Sequence, residues 1–224
     1  YTPVAEVAME GFVTKERLSV EQAQAHSFLP FSEGTAWGGC WEYGWFRADV
    51  TLPDACDGRR VVLLGKLGGE QLYYLNGKAI GSIDKGHDYV TLTRCAKAGE
   101  TVHLLAESYA GHGARLEAAT PCPPERPPIP PTPEQQCVMG KNVLAVWNED
   151  AYQLLMDVYT LTQLLKVLPE KSLRYQRVGA ALQAYADIAD FELPYQARHE
   201  SFRKAREALR AALGCHNGST APLM

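Results

Sequence analysis

Trp37, Trp41, Tyr43 and Trp45 bring four aromatic rings together early in the chain. Flat aromatic faces suit the C–H surfaces of a pyranose, so the cluster reads either as a sugar-stacking platform or as the buried aromatics of a β-sandwich. In the run Trp45-Phe46-Arg47, Trp45 points away from the side that carries Phe46. That direction puts it on a second covered face or on a surface between domains, and the latter suits an accessory domain. A second group surrounds an Asn-Gly turn: Glu70, Asp84 and His87 flank it, and Tyr74 and Asn76 belong to it. Polar residues in loops are where binding concentrates, and hydrogen bonding within the turns is the competing use. These eight residues (the three tryptophans and the five around the turn) are the candidates for carbohydrate or inter-domain contact. Arg47 and Asp49, two apart on one strand, read as a surface ion pair of little energetic weight.

No catalytic set accompanies them. The sequence has no GxGxxG, P-loop, GxSxG or HExxH. Its histidines (His26, His87, His103, His112, His199 and His216) form no HxH or HxD pair, and its cysteines form no CxxC, so neither a metal site nor a cofactor is expected in this chain. The 26 acidic residues offer many carboxylate pairs and single out none. A net charge of -4 and a pI of 5.9 argue against nucleic acid and anionic membrane as partners. No stretch approaches the roughly 18 apolar residues of a membrane span. Scattered thiols beside an ample apolar core, with no signal-peptide pattern at the N-terminus, lead us to expect a cytoplasmic protein. In that setting Asn217-Gly218-Ser219 is a turn rather than a glycosylation site.

Positioning these residues falls to two kinds of element. Prolines crowd Thr120–Pro133, which removes backbone donors and predicts an extended strap. Before it the chain reads as β. Phe46, Ala48, Val50 and Leu52 alternate with polar positions, Arg60–Leu67 is apolar on both faces, and Tyr89–Thr93 and Thr101–Tyr109 add strands. Asn76-Gly77 between two β-prone runs predicts a two-residue hairpin. A short helix is expected within Thr14–His26. After the strap, Lys141–Trp147 reads as a last strand and three helices follow. The first, capped by Asn148 and stopped by Pro169, carries only Asp157 and Lys166 as charges between Ala151 and Leu168. A helix so apolar all round cannot sit on a solvated surface. The second carries Val178, Ala181, Leu182 and Tyr185, and the third runs from near Pro194 to Gly214. The expected architecture is mainly β plus α: a galactose-binding-like jelly-roll β-sandwich over 1–119, a strap over 120–140, and a small three-helix segment over 141–224.

In chain order, Trp37-Gly38-Gly39, Trp45-Phe46-Arg47, Leu52-Pro53, Gly58–Leu63, Glu70, Tyr74–Gly77, Gly81 and Asp84 with His87 resemble the jelly roll of many large glycosidases. Together with the helix Glu149–Pro169, they are more specifically similar to the N-terminal region of family 38 α-mannosidases of the cytosolic/vacuolar type. The resemblance covers roughly Trp37 to Leu213. It implies a parent enzyme that hydrolyses α-mannosides with zinc and an aspartate nucleophile. It also implies a C-terminal catalytic domain that opens on a His-x-Asp motif just beyond this chain. No position here matches those catalytic residues, so none carries over. The expected role is an accessory and assembly region that docks on the catalytic domain, with association into homo-oligomers a further expectation. The alternative is a free-standing carbohydrate-binding module.

Overall fold

The computed structural model describes residues 1–113 and 131–213. The proline run through Pro130 and the Asn217 sequon lie outside the described residues. The chain divides into two compact units, Tyr1–Trp147 and Asn148–Met224.

The first unit is a jelly-roll β-sandwich. Its strands are β1 (Thr2–Glu6), β2 (Met9–Thr14), β3 (Leu29–Phe31), β4 (Ala36–Trp37), β5 (Tyr43–Thr51) and β6 (Val61–Leu64), followed by β7 (Glu70–Leu75), β8 (Lys78–Ile83), β9 (Val90–Thr93), β10 (Thr101–Tyr109), β11 (Cys137–Val138) and β12 (Val143–Val146). Six strands order as β3-β2-β5-β10-β7-β8, four as β1-β12-β6-β9, and β4 pairs with β11. The alternation read from the sequence decides what faces inward. Phe46, Ala48 and Val50 of β5, with Val102, Leu104 and Ala106 of β10, meet Val61 and Leu63 of β6 and Leu144 and Val146 of β12. Each Val, Leu or Phe among them contributes about 1.5–3 kcal/mol by leaving water. Gly44 is part of this packing: a Cβ there would lie 2.6 Å from the Phe46 ring and 2.8 Å from Trp37. Its absence admits the edge-to-face pair of Trp37 and Phe46.

Both sheets are also partly covered on their outer sides. Val62, Ala145 and Trp147 form a small cluster over the four-stranded sheet, as the doubly apolar Arg60–Leu67 run requires. Over the six-stranded sheet lies α1 (Val20–Gln24), started by a capping box in which Ser19 and Gln22 satisfy each other's backbone N–H groups. Ala23 and Phe28 close over Trp45 and Leu105. Trp45 therefore takes the covered-face placement and not the inter-domain surface favoured from sequence.

The Asn76-Gly77 turn is a two-residue hairpin: φ is 49° at Asn76 and 80° at Gly77, and Leu75 pairs with Lys78. The boundaries expected at 119 and 141 shift. The β11 strand, inside the expected strap, pairs with β4, and β12, inside the expected helical segment, sits between β1 and β6. A strand belongs to the sheet whose hydrogen bonds it completes, so the sandwich runs to Trp147.

The second unit comprises α2 (Glu149–Val167), α3 (Leu173–Ile188) and α4 (Tyr195–Leu213). Asn148 caps α2 by accepting from Ala151 N at 3.0 Å, and Ser172 caps α3 by accepting from Tyr175 N at 3.1 Å. Leu154 and Leu161 pack on Val178, Ala181, Phe202, Ala205 and Leu209. Asp157, one of the two charges between Ala151 and Leu168, is half-buried and accepts from Arg206 at 2.8 Å. On the rest of α2, Tyr152, Leu155, Met156 and Tyr159 remain exposed, with Leu155 at 60% and Tyr159 at 59%. Their spacing of three, four and seven places them in one stripe.

Candidate functional site

The α1 helix covers only part of the outer face of the six-stranded sheet. Beyond it lies a cleft of about 820 Å³. Antiparallel register builds its floor in two rows: Tyr43 of β5 pairs with Tyr109 of β10, which pairs with Glu70 of β7, and in the next row Glu107 of β10 pairs with Leu72 of β7. Ser82 extends the second row from β8. Lys15 and Arg17, ahead of α1, and Trp41, ahead of β5, stand at the walls with Asp84. A second cleft of about 580 Å³ continues from it, sharing Glu70, Asp84 and Tyr109 and adding His112 and Gln136.

Trp41 is held in place by backbone. Its φ is 64°, a left-handed conformation uncommon outside glycine, and its N–H donates to Gly111 O at 2.8 Å. Glu42 ties the same loop twice: its side chain accepts from Gly39 N at 2.7 Å, and its carbonyl accepts from Ala110 N at 3.0 Å. The exposed ring lies 5.4 Å from His112 and 6.5 Å from Tyr109, which itself packs on Tyr43 at 5.2 Å.

The electrostatics of the cleft are uneven. Burial pushes the Glu107 carboxyl up from its ordinary value, and Arg17 opposes that shift. Tyr74 is raised by burial and by the Glu107 charge, and Tyr109 by burial, Tyr43 and Glu70. Asp84 is held below the usual carboxylate range by the N–H of Gly86, at 2.7 Å, and by His87.

The eight sequence candidates divide accordingly. Trp41, Glu70 and Asp84 line the cleft. Trp37 is buried and donates its indole N–H to Leu67 O at 2.7 Å. Trp45 is buried beneath α1, with no hydrogen-bond partner for its Nε1 among the described residues. Tyr74 stacks at 6.5 Å on Trp45. Asn76 accepts from His103 N at 3.2 Å, beside a separate groove. His87 is exposed and turns back onto Asp84 at 3.1 Å, a hydrogen bond within the turn. Arg47 pairs with Glu10, directly opposite on β2, and not with Asp49, which meets His103 instead. Cross-strand neighbours lie closer than residues two apart on one strand, which accounts for the difference.

Sequence reasoning missed Lys15, Arg17, Glu107 and Tyr109. Period-two alternation along β10 carries a signal for two of them, because Leu104 and Ala106 inward place Glu107 and Tyr109 outward. Lys15 and Arg17 have no spacing that marks them. Among the described residues no three His, Cys, Asp or Glu side chains converge as a metal site would require. No helix of the described residues is long and apolar enough to cross a membrane. The cleft can stack a ring, accept hydrogen bonds at carboxylates and donate them from cations.

Fold and cleft define a jelly-roll β-sandwich module with an open aromatic site. Residues 3–129 match the family described as the α-mannosidase jelly roll domain, and the chain belongs to that family. It is 25% identical to human Alpha-mannosidase 2C1 over 97% of this chain and 28% identical to the mouse protein of that name over 96%. It spans 20% of the length of each relative. A Faecalibacterium prausnitzii β-glucuronidase structure is similar with a TM-score of 0.43 and 18% identity, covering 64% of this chain and 31% of that one.

Proposed function

We propose that the chain is the accessory and assembly region of an α-mannosidase-like glycoside hydrolase, docking on a catalytic domain elsewhere in the parent polypeptide and shaping the rim of its substrate cleft. The observation that carries this reading is the stripe Tyr152, Leu155, Met156 and Tyr159 on α2, apolar and exposed outside the core of its own unit. Contiguous apolar surface of this kind on a soluble protein marks a contact. Its occupant is taken to be the rest of the parent, because relatives of this family are about five times as long as the chain. Without that occupant, the same stripe would draw copies of the chain together into a homo-oligomer. The zinc, which would position and polarise the mannoside, belongs to the absent domain on this reading. Cys56 and Cys137, buried thiols whose pKa is raised by burial, suit the reducing cytoplasm expected from sequence.

The second reading, a free-standing carbohydrate-binding module, draws on the aromatic cleft. It leaves the α2 stripe without a purpose. Hydrolysis of an aryl α-mannoside separates the two readings. The chain alone is expected to be inactive, and its addition to the separately expressed remainder of the parent should raise that portion's activity. A remainder whose activity is the same with and without the chain would contradict the docking role.

A further inference from the structure

We infer that the cleft on the outer face of the six-stranded sheet is a binding subsite for a neutral hexose glycan, with Trp41 as its stacking surface. All four tryptophans lie among the described residues, and they divide sharply. Trp37, Trp45 and Trp147 are 2%, 1% and 9% exposed, whereas Trp41 is 62% exposed. Leaving so large an apolar ring in water is unfavourable, and so is holding a non-glycine residue at φ 64°. The fold nevertheless fixes that conformation through Gly111 and Glu42. Backbone strain maintained to present a side chain to solvent is the mark of a binding position.

The walls supply the other half of sugar recognition. Glu70 and Glu107 can accept hydrogen bonds from ring hydroxyls, and Lys15 and Arg17 can donate to them. Glu107 is half-buried, and its ionised form is disfavoured by that burial. A carboxylate kept where it opposes folding is better explained by a ligand than by packing. Charge selects among ligands. In the main cleft the carboxylates Glu70, Asp84 and Glu107 outnumber the cations Lys15 and Arg17, and Lys85 in its continuation only restores the balance, so the site carries no excess of cations to draw a phosphorylated or uronic sugar in preference to a neutral one. The continuation past Glu70, Asp84 and Tyr109 gives the site length for more than one ring. The choice of mannose rests on the proposed α-mannosidase parent, whereas the preference for a neutral glycan rests on the cleft alone.

Acrylamide quenching of tryptophan fluorescence reads this site directly, because Trp41 is the exposed ring. Linear α-linked mannotriose, cellotriose and trigalacturonate are titrated into the 224-residue chain. Mannotriose is expected to protect the quenchable fraction saturably, and trigalacturonate to leave it unchanged. Trp41→Gly fits the left-handed backbone and should melt no lower than the parent sequence. By calorimetry it should nevertheless lose affinity for mannotriose by about tenfold or more, while Trp41→Phe keeps most of it. Protection by cellotriose but not mannotriose would uphold the neutral-glycan subsite and count against the mannoside reading of the parent. The inference fails if neither neutral trisaccharide protects Trp41, if trigalacturonate binds best, or if Trp41→Gly binds as tightly as the parent sequence.

Discussion

Glu107 illustrates how one side chain can record a conflict between folding and use. Its folded pKa is raised by burial, with Arg17 opposing and Tyr74 the other titratable neighbour. A raised carboxyl favours folding when protonated, so that contribution is full below the unfolded value of about 4.3 and is lost as pH rises through the folded value. At neutral pH the ionised group therefore works against the fold. Glu107→Gln is expected to raise the melting temperature at pH 7, with the gain shrinking toward pH 3. A variant that melts lower at pH 7 would mean that Glu107 is stabilised by its neighbours. The tryptophans show what residue types leave open. Trp37, Trp41 and Trp45 look alike in sequence, and alternation correctly turns Trp45 away from Phe46. Whether that second face meets a neighbouring domain or a five-residue helix depends on packing from distant parts of the chain. Trp41 is set apart by backbone conformation, which its sequence neighbours do not reveal.

Elements were legible where local chemistry and long-range packing agree. The Asn76-Gly77 hairpin follows from two residues that tolerate positive φ, and α2 begins at the Asn148 cap and stops before Pro169. Strands β1, β2, β3, β4 and β11 were not legible. They are two to six residues long, β1 and β3 contain prolines, and each is defined by the partner it meets. The hairpin offers a clean energetic test because a Cβ at Gly77 would meet no atom within 4 Å. A loss on substitution there reflects backbone strain rather than a clash at Cβ. Gly77→Val should lower the unfolding free energy by roughly 1–2 kcal/mol in urea titration. An unchanged midpoint would show that the turn relaxes to another type without loss.

For the whole molecule, the division into sandwich and helical unit was readable from the switch between period-two and helical patterning. Its boundary was displaced by β11 and β12, because strand pairing across the fold outweighs the local punctuation of prolines. The family was readable from an ordered set of short motifs, each weak alone, and residues 3–129 place the chain in it. The stripe on α2 had its signal in sequence, as a helix too apolar for a solvated surface. That α3 and α4 would bury Leu154 and Leu161 but leave Leu155 and Tyr159 exposed needed the packing itself. The most direct test of the docking role is light scattering of the chain mixed with the separately expressed remainder of the parent. The account predicts a one-to-one complex with the unaltered chain. It also predicts the loss of that complex for Leu155→Lys combined with Tyr159→Lys, two exposed changes that should leave the melting temperature nearly the same. A remainder that forms no complex with the unaltered chain, or binds the doubly substituted chain equally well, would contradict it.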